Sequence, residues 1–193
     1  MTDAGDAVPG PDGRPRCPWG AQPPDYLEYH DTEWGIVLHG EAALFERLSL
    51  EAFQSGLSWL TILRRREGFR SVFVGFDPKR IAAFSAADVD LLLSDTAIIR
   101  NRAKIEATVR NARAVVELHG ELDGLLWSFA PDPTGREIPA RLSDVPATTP
   151  ESTAMARELK RRGFRFVGPT TCYALMQAVG MVDDHLAGCW RRS

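Results

Sequence analysis

Four residues near the two ends of the chain have the types and spacing of metal ligands. His185 and Cys189 are four positions apart, so on a helix they would share one face. Cys17 and His30 lie in the N-terminal segment with twelve residues between them. The two pairs together would form a Cys2His2 set. Four nitrogen and sulfur ligands leave no open coordination position, which is typical of a structural zinc site, and deprotonated cysteine and neutral histidine suit Zn²⁺ at neutral pH.

The spacing of these residues leaves other interpretations open. The four could be unrelated, with His30 on the surface and Cys189 a free thiol near a frayed end. A disulfide between Cys17 and Cys189 is another alternative. However, the three cysteines of the chain are too few and odd in number for a disulfide framework, and the cytosol disfavours disulfides.

The composition is that of an ordinary globular protein. Of the 193 residues, 44% are hydrophobic and 25% are charged, and a chain of this length buries enough apolar surface to fold without a metal. No apolar run approaches the ~20 residues that span a bilayer, so we expect no membrane partner. Residues 1–15 are rich in Gly, Pro and Asp and lack the apolar core of a signal peptide. They predict a disordered leader and a cytoplasmic protein.

The net charge of −3 gives no general support for nucleic-acid binding, because such proteins usually have a basic balance. Any DNA surface must therefore be a local patch.

Helical patterns dominate residues 16–193 and predict a single all-α domain. Apolar residues at helical spacing run to a stop at Gly56, and Ser58 is the predicted cap of a second helix that ends near Gly68. Asp77–Pro78 has the order of an N-cap and a first helical residue. The "SAAD" at residues 85–88 resembles a capping box with Asp in place of Glu. No segment has a convincing strand pattern.

The second half of the chain continues the helical pattern around one long loop. A long amphipathic helix is predicted over residues 98–120, closing at Gly120. The Pro-rich stretch after Phe129, up to residue 149, is long for a compact domain, so we expect it to be functional or mobile. Thr149–Pro150 opens a helix that stops at Gly163, and another helix follows.

Several dense motifs resemble those of the DNA-3-methyladenine glycosylase I family. They are "CPWG", "YLEYHDTEWG", "LSLEAFQSGLSWLTILRRRE", "FDPKRIA", "IIRNRAKIEATVRNA", "LWSF" and "LKRRGFRFVGPTTCYALMQAVGMVDDHLAGC", in the family's order from about Arg16 to Cys189. The resemblance implies a helix-hairpin-helix DNA glycosylase fold, removal of N3-methyladenine from DNA, and one structural zinc that joins the terminal segments. Its ligand positions are Cys17, His30, His185 and Cys189, the four residues paired above.

The resemblance also implies a pocket for a flipped, positively charged base. An enzyme reaches the glycosidic bond only after the nucleotide has left the stack, and aromatic rings attract a cation. Glu51 matches the family's base-contacting glutamate and is the candidate catalytic residue. Tyr29 and Trp59 match its stacking aromatics, with Tyr26 close by. The alternatives are a Glu51 that reaches solvent or pairs with Arg47, and aromatic rings that only pack in the core.

Other residues of the same motifs have secondary candidate roles. For Trp19 and Trp34 we favour a structural role beside the zinc segment. Asp184 is interpreted as a partner of the adjacent His185 or as a helix cap. Asp183 and Asp184 also stay as minor catalytic alternatives, although the family is described as lacking the aspartate that many helix-hairpin-helix glycosylases use.

DNA contact is predicted from a helix-hairpin-helix unit at about residues 150–180. Its tight turn lies at Gly168–Thr170, and amides at the start of the second helix can bind a phosphate. Further phosphate contacts are predicted from Lys160, Arg161, Arg162 and Arg165. The alternative is that these cations stay solvated and favour the helix dipole. Residues 64–66 and 100–104 are additional basic clusters.

The leading functional hypothesis is a monomeric, monofunctional glycosylase that acts on alkylated double-stranded DNA. No lysine nucleophile occupies a matching motif, so lyase activity is not expected. One alternative is a non-catalytic, zinc-stapled helical module that binds DNA. Another is a zinc hydrolase, which requires an open coordination position that four protein ligands would not leave.

Overall fold

The computed structural model describes residues 7–192 and is built almost entirely of helices. The α-helices are α1 (Pro24–Thr32), α2 (Glu41–Gln54), α3 (Trp59–Leu63), α4 (Arg66–Val72), α5 (Pro78–Ala82), α6 (Ala86–Ser94), α7 (Arg102–Glu117), α8 (Leu122–Trp127), α9 (Pro150–Arg161) and α10 (Pro169–Ala178). Short 3₁₀ turns lie at Pro18–Gly20, Val74–Phe76 and Leu142–Asp144. The helical fold class is confirmed. In the described part of the chain, every helix is too short or too polar to cross a bilayer.

A small hairpin near the N-terminus corrects the expectation that the chain has no strand. Val8–Pro9 pairs antiparallel with Pro15–Arg16, and Gly13, with a φ of 79°, makes the turn. The two-residue strands are too short to give a period-2 pattern, so the sequence did not reveal them. All of the hairpin except Arg16 falls within the predicted leader of residues 1–15, whose residues 1–6 lie outside the described range. The domain boundary at residue 15 stays a prediction.

Five of the ten α-helices in residues 7–192 begin at a side-chain cap. Ser58 accepts from the Thr61 amide, Asp77 accepts from the amides of the first turn of α5, and Ser85 forms a complete capping box with Asp88. Thr149 caps α9 in the same way. These side chains satisfy amides that have no partner within the helix.

Two predicted helix boundaries were wrong. The helix after Ser58 does not run to Gly68 but divides into α3 and α4 at residues 64–65. Gly68 lies inside α4, where a Cβ would come within 2.6 Å of the Ala97 carbonyl oxygen. Its role is therefore close packing rather than helix termination. The long helix α7 begins only after Asn101, which caps it by accepting from the Lys104 amide.

Helix α2 lies at the centre of the fold. It contacts α3, α7, α8 and α10, and nine of its fourteen residues are buried. Its C-terminal end is held by Lys104 of α7, whose Nζ donates to the Phe53 carbonyl at 2.8 Å and also to the Ser55 carbonyl. A cation at this end also complements the helix dipole.

The two ends of the described chain meet on one side of this helical core. The Trp190 amide donates to the Pro15 carbonyl at 2.9 Å. Cys17, Leu186 and Cys189 form a small buried cluster that is separate from the main core.

We predict that Lys104→Met destabilises the protein by about 1.5–3 kcal/mol, because hydrogen bonds from a charged donor to the end of α2 are lost. The measurement is urea unfolding followed by circular dichroism. Lys79→Met is the matched control, since Lys79 is exposed on α5, and its effect should stay within about 0.5 kcal/mol. Equal stability of the two variants would contradict the role given to Lys104.

Candidate functional site

Cys17, His30, His185 and Cys189 form one buried group whose ligand atoms all lie within 4.8 Å of one another. Cys189 Sγ lies 3.4 Å from His30 Nε2 and 3.6 Å from His185 Nδ1. Cys17 Sγ lies 3.8 Å from the same His185 nitrogen. Four such atoms converging in a buried space could hold one metal ion.

The four ligands come from different elements, and His185 and Cys189 do not lie on a helix. His30 is on α1 and Cys17 precedes a 3₁₀ turn, but His185 and Cys189 lie in irregular chain after α10. There the Cys189 amide donates to the Leu186 carbonyl at 2.8 Å, which folds the segment back on itself.

A carboxylate behind His30 fixes the orientation of its ring. His30 Nδ1 lies 2.8 Å from Asp31 Oδ1, which leaves Nε2 for a metal. Asp31 is itself held by the buried Arg16, whose Nη2 donates to it at 2.6 Å. Arg16 also binds Asp12 in the N-terminal hairpin. This chain of contacts was not predicted from the sequence, where its one local signal is the Asp that directly follows His30.

The two thiols of the group influence each other's protonation. A hydrogen bond with Cys17 lowers the pKa of Cys189, and the same bond, together with burial, raises the pKa of Cys17.

A cavity of about 330 Å³ lies beside this group. It is bounded by α1, α2, α3, α10 and part of the loop at residues 130–149. Its lining residues are Trp19, Tyr26, Tyr29, Trp34, Glu51, Gln54, Trp59, Leu142, Val145, Ala174, Gln177 and Asp184.

Glu51 is the buried carboxyl of this cavity. Its Oε2 is enclosed and has no hydrogen-bond partner among residues 7–192. Burial raises the pKa of Glu51 to about 8, an effect that the nearby Arg47 charge opposes. Arg47 does not pair with Glu51 as one alternative supposed, because its guanidinium binds Glu33 and lies over the Tyr29 ring.

The predicted aromatic residues surround this carboxyl. The rings of Tyr29 and Trp59 have centroids 5.3 Å apart, tilted by 46°. Burial raises the pKa of Tyr29, and the neighbouring Glu51 raises it further. Trp59 Nε1 is a second enclosed atom without a hydrogen-bond partner in the described chain. The Tyr26 hydroxyl accepts from the Leu60 amide at 2.9 Å and so orients the start of α3.

Trp19 and Trp34 connect the cavity to the metal-ligand group. Their rings pack edge to face at 4.9 Å, and both line the cavity. On the other side, Trp19 contacts His30 and Trp34 contacts His185, with centroids 5.2 and 4.7 Å apart. The structural role expected for them is therefore combined with a position in the cavity wall.

Asp184 does not bind His185, so that expectation was wrong. Its carboxylate accepts from Tyr173 Oη at 2.6 Å, from Gln177 Nε2 at 2.8 Å and from Arg136 Nη2 at 2.6 Å. These donors attract the carboxylate towards α10 and away from the metal-ligand group. Arg136 belongs to the long Pro-rich loop, which also places Leu142 and Val145 at the cavity.

The α9–α10 pair forms a helix–hairpin–helix unit. The helices pack against each other and are joined by residues 162–168. Asn111 of α7 holds this hairpin, because its side chain accepts from the Arg165 amide at 2.7 Å and donates to the Arg165 carbonyl at 3.0 Å. Gly168 caps α10 and Pro169 occupies its first turn. The amides of Thr170 and Thr171 have no hydrogen-bond partner in the described chain.

Only part of the predicted basic surface is available to a ligand. Arg161 and Arg162 both bind Glu158, each at 2.6 Å. Lys160 and Arg165 are exposed, and neither has an ion-pair partner within residues 7–192. The three arginines at residues 64–66 already have partners within the protein. They bind Asp25, the Thr96 carbonyl and Glu33, respectively.

The helical fold, with a hairpin-joined helix pair and an aromatic cavity that holds a buried carboxyl, agrees with the glycosylase-like fold class expected from the sequence. Comparison with known proteins agrees with that class. The family model for methyladenine glycosylase matches residues 19–192, so the chain belongs to the methyladenine glycosylase family, as its motifs predicted.

Individual relatives match over nearly their whole length. The chain is 46% identical over 178 residues to the DNA-3-methyladenine glycosylase of Haemophilus influenzae, covering 90% of this chain and 96% of the relative. A crystal structure of a 3-methyladenine DNA glycosylase I superposes with a TM-score of 0.87 at 45% identity, covering 92% of this chain and all of that chain. The Staphylococcus aureus 3-methyladenine DNA glycosylase I, solved to explain 3-methyladenine recognition, superposes with a TM-score of 0.85 at 34% identity, covering 92% and 96%.

The raised pKa of Glu51 predicts a pH-dependent contribution to stability. The folded state holds a proton that the unfolded chain releases above its pKa of about 4.3. The contribution of Glu51 to the free energy of unfolding is therefore largest below pH 4.3. It decreases as the pH rises towards about 8, the pKa of Glu51 in the folded protein. Glu51→Gln removes this decrease. The free energy of unfolding of the variant, relative to that of the parent, should therefore be at least about 2 kcal/mol higher at pH 8 than at pH 5.

Urea unfolding of both proteins at the two pH values measures this difference. Glu117→Gln, on the exposed face of α7, is the control and should show no such gain. A pH dependence identical in the Glu51→Gln variant and the parent would show that Glu51 is not buried as a neutral acid.

Proposed function

We propose that the protein is a monofunctional DNA glycosylase that removes 3-methyladenine from alkylated double-stranded DNA. The observation that carries the proposal is an enclosed carboxyl without a protein partner in an aromatic cavity, in a chain of the methyladenine glycosylase family. We also retain the monomeric state and cytoplasmic location expected from the sequence. Relatives that bear the name of this activity, and one solved to explain recognition of this base, support the choice of substrate.

The electrostatics of the cavity suit a positively charged base. Adenine methylated at N3 carries a positive charge while it is attached to deoxyribose. Burial raises the pKa of the Glu51 carboxyl to about 8. Entry of this cation would release the carboxyl proton to solvent, because an adjacent opposite charge favours the ionised form. The rings of Tyr29 and Trp59 add cation–π attraction of ~0.5–2 kcal/mol. Unmodified adenine is neutral and gains neither interaction.

The chemistry then requires little from the protein beyond binding and orientation. The bond between C1′ and N9 breaks, and its electron pair neutralises the positive charge of the departing base. Water adds to C1′ and releases one proton, which leaves an abasic sugar. Because the leaving base needs no protonation, Glu51 acts by stabilising the charged base and holding it in the cavity.

The Cys2His2 group fits a structural zinc ion. Tetrahedral zinc with bonds of about 2.0–2.3 Å places its ligand atoms about 3.3–3.8 Å apart, a range that includes the three distances of 3.4, 3.6 and 3.8 Å between these ligand atoms. Cys17, His30, His185 and Cys189 would hold the ion, and its charge would favour thiolate at both cysteines. Because all four positions are taken by protein ligands, the ion would stabilise the fold and leave no position for a hydrolytic water.

The DNA backbone would meet the helix–hairpin–helix unit. The turn at Gly168–Thr170 offers open amides at the start of α10, where the helix dipole favours a phosphate. Lys160 and Arg165 are the cations best placed for further phosphate contacts, since both are exposed and unpaired within residues 7–192. Local charge of this kind is sufficient for DNA binding by a chain with a net charge of −3.

An exposed leucine beside the cavity could support the flipped state. Leu57 is 40% exposed and lies in the loop between the cavity residues Gln54 and Trp59. Apolar side chains in such positions insert between base steps and fill the gap that a displaced base leaves. Leu57 was not predicted from the sequence, because a lone apolar residue in a loop carries no periodic signal.

Product analysis separates this function from a non-catalytic DNA-binding module. Methylated DNA is incubated with the protein, and free bases are separated by chromatography. Release of 3-methyladenine by the unmodified protein is expected, whereas binding without release would support the module. Glu51→Ala should lower base release at least about 100-fold and change DNA affinity by less than about fivefold, because the backbone contacts are elsewhere. A normal release rate in this variant would remove Glu51 from the mechanism.

The proposed zinc site predicts a different result for its own ligands. Cys189→Ser should reduce the metal content measured by mass spectrometry and lower the melting temperature by roughly 5 °C or more, because bound metal stabilises the folded state. Cys172→Ser serves as a control for loss of a buried thiol, since Cys172 lies in the main core away from the group, and it should leave metal content unchanged. Unaltered metal content in Cys189→Ser would contradict the assignment.

A further inference from the structure

The partners of Gln177 fix the orientation of its amide. Gln177 lines the cavity from α10, and its Nε2 donates to Asp184 Oδ2 at 2.8 Å. A carboxylate only accepts hydrogen bonds, so the NH2 group faces Asp184 and the carbonyl oxygen faces away. That oxygen has no hydrogen-bond partner within residues 7–192 and is not one of the enclosed polar atoms. It is therefore an acceptor that remains open to a ligand in the cavity.

Asp184 is held in turn by two further donors. Tyr173 Oη donates to Oδ2 at 2.6 Å, and Arg136 Nη2 donates to Oδ1 at 2.6 Å. Arg136 also donates to Tyr173 Oη at 2.9 Å, which directs the hydroxyl proton towards the carboxylate. Arginine has no acceptor atom. The side-chain atom of residue 184 that faces Arg136 must therefore be an oxygen, which accepts this hydrogen bond.

We infer that Gln177, oriented by Asp184, is a specificity-determining residue that selects a base carrying an amino group over one carrying a carbonyl at the same position. The inference rests on the proposed function and deepens it. Adenine has an amino donor at C6, where guanine has a carbonyl acceptor. The Gln177 carbonyl oxygen accepts a hydrogen bond from the adenine amino group. Opposite the guanine carbonyl, it leaves two acceptors facing each other, and neither has a partner.

Charge and stacking alone do not make this distinction. Adenine and guanine methylated at N3 both carry a positive charge in DNA and both present an aromatic face. The Glu51 charge and the rings of Tyr29 and Trp59 therefore favour both bases over unmodified purines. Discrimination between the two alkylated bases requires a group of fixed hydrogen-bonding sense, and the Gln177 amide is one whose sense the surrounding contacts determine.

The test is the ratio of 3-methyladenine to 3-methylguanine released from DNA treated with dimethyl sulfate, measured by chromatography of the free bases. Gln177→Met keeps the length of the side chain and removes the acceptor. It should lower the preference for 3-methyladenine about fivefold, which corresponds to one ordinary hydrogen bond.

Asp184→Asn should reverse the orientation of the Gln177 amide without removing that amide. Because Arg136 requires an oxygen at its contact, the new NH2 group faces Gln177, whose carbonyl must turn towards it. The NH2 group of Gln177 then faces the cavity as a donor. The preference for 3-methyladenine should therefore fall further than in Gln177→Met. Tyr173→Phe is the matched control, since it removes a partner of Asp184 but leaves a carboxylate facing Gln177. Its ratio should stay within about twofold of the parent.

Metal content and melting temperature establish that each variant is folded, because Asp184 adjoins His185. An unchanged ratio in folded Asp184→Asn, or an equal change in Tyr173→Phe, would overturn the inference. If the parent protein releases neither base, the proposed function fails instead. The affinities of the free bases for the parent and for Gln177→Met, measured by NMR titration, then decide whether the amide selects between them.

Discussion

Glu51 is buried on the central helix with one carboxylate oxygen that no neighbouring group satisfies. A buried polar atom without a partner costs about 1–3 kcal/mol, so the surrounding structure must hold the residue in place against this cost. Helix α2 is enclosed by four other helices, and Lys104 binds the carbonyls at its end. The packing of α2 thus maintains an unfavourable group at the position where a cationic base would make it favourable.

The walls of the cavity depend on the joining of the two ends of the chain. Trp19 and Trp34 come from the N-terminal third and pack against His30 and His185 on their far side. A metal that draws His30 and His185 together would therefore also fix these two rings. Arg16 and Asp31 support the same arrangement from behind His30. This gives a physical reason for a structural metal in a chain long enough to fold without one.

Much of this site was predictable from the sequence, and the missing part has a common cause. Caps at Ser58, Asp77, Ser85 and Thr149 depend on residues three positions away, so local patterns were sufficient to find them. The family resemblance indicated Glu51, Trp59 and the four metal-ligand candidates, whose catalytic and binding roles stay predictions. Arg136, Asn111 and Lys104 contact residues that lie 48, 54 and 51 positions away. No local pattern encodes such contacts. Asp184 was misassigned because its hydrogen-bond partners are Tyr173, Gln177 and Arg136 rather than the adjacent His185.

The two buried carboxyls of the cavity differ in how far the protein satisfies them. Asp184 accepts hydrogen bonds from three side chains, one of them a guanidinium. A carboxylate so fully paired is suited to orienting its neighbours. Glu51 keeps an oxygen without a partner, and burial raises its pKa. An alkylated base leaves as a neutral molecule, so its departure needs no acid, and the attacking water needs only a weak base. The division into one satisfied and one unsatisfied carboxyl therefore fits a reaction in which recognising the charge is the harder task.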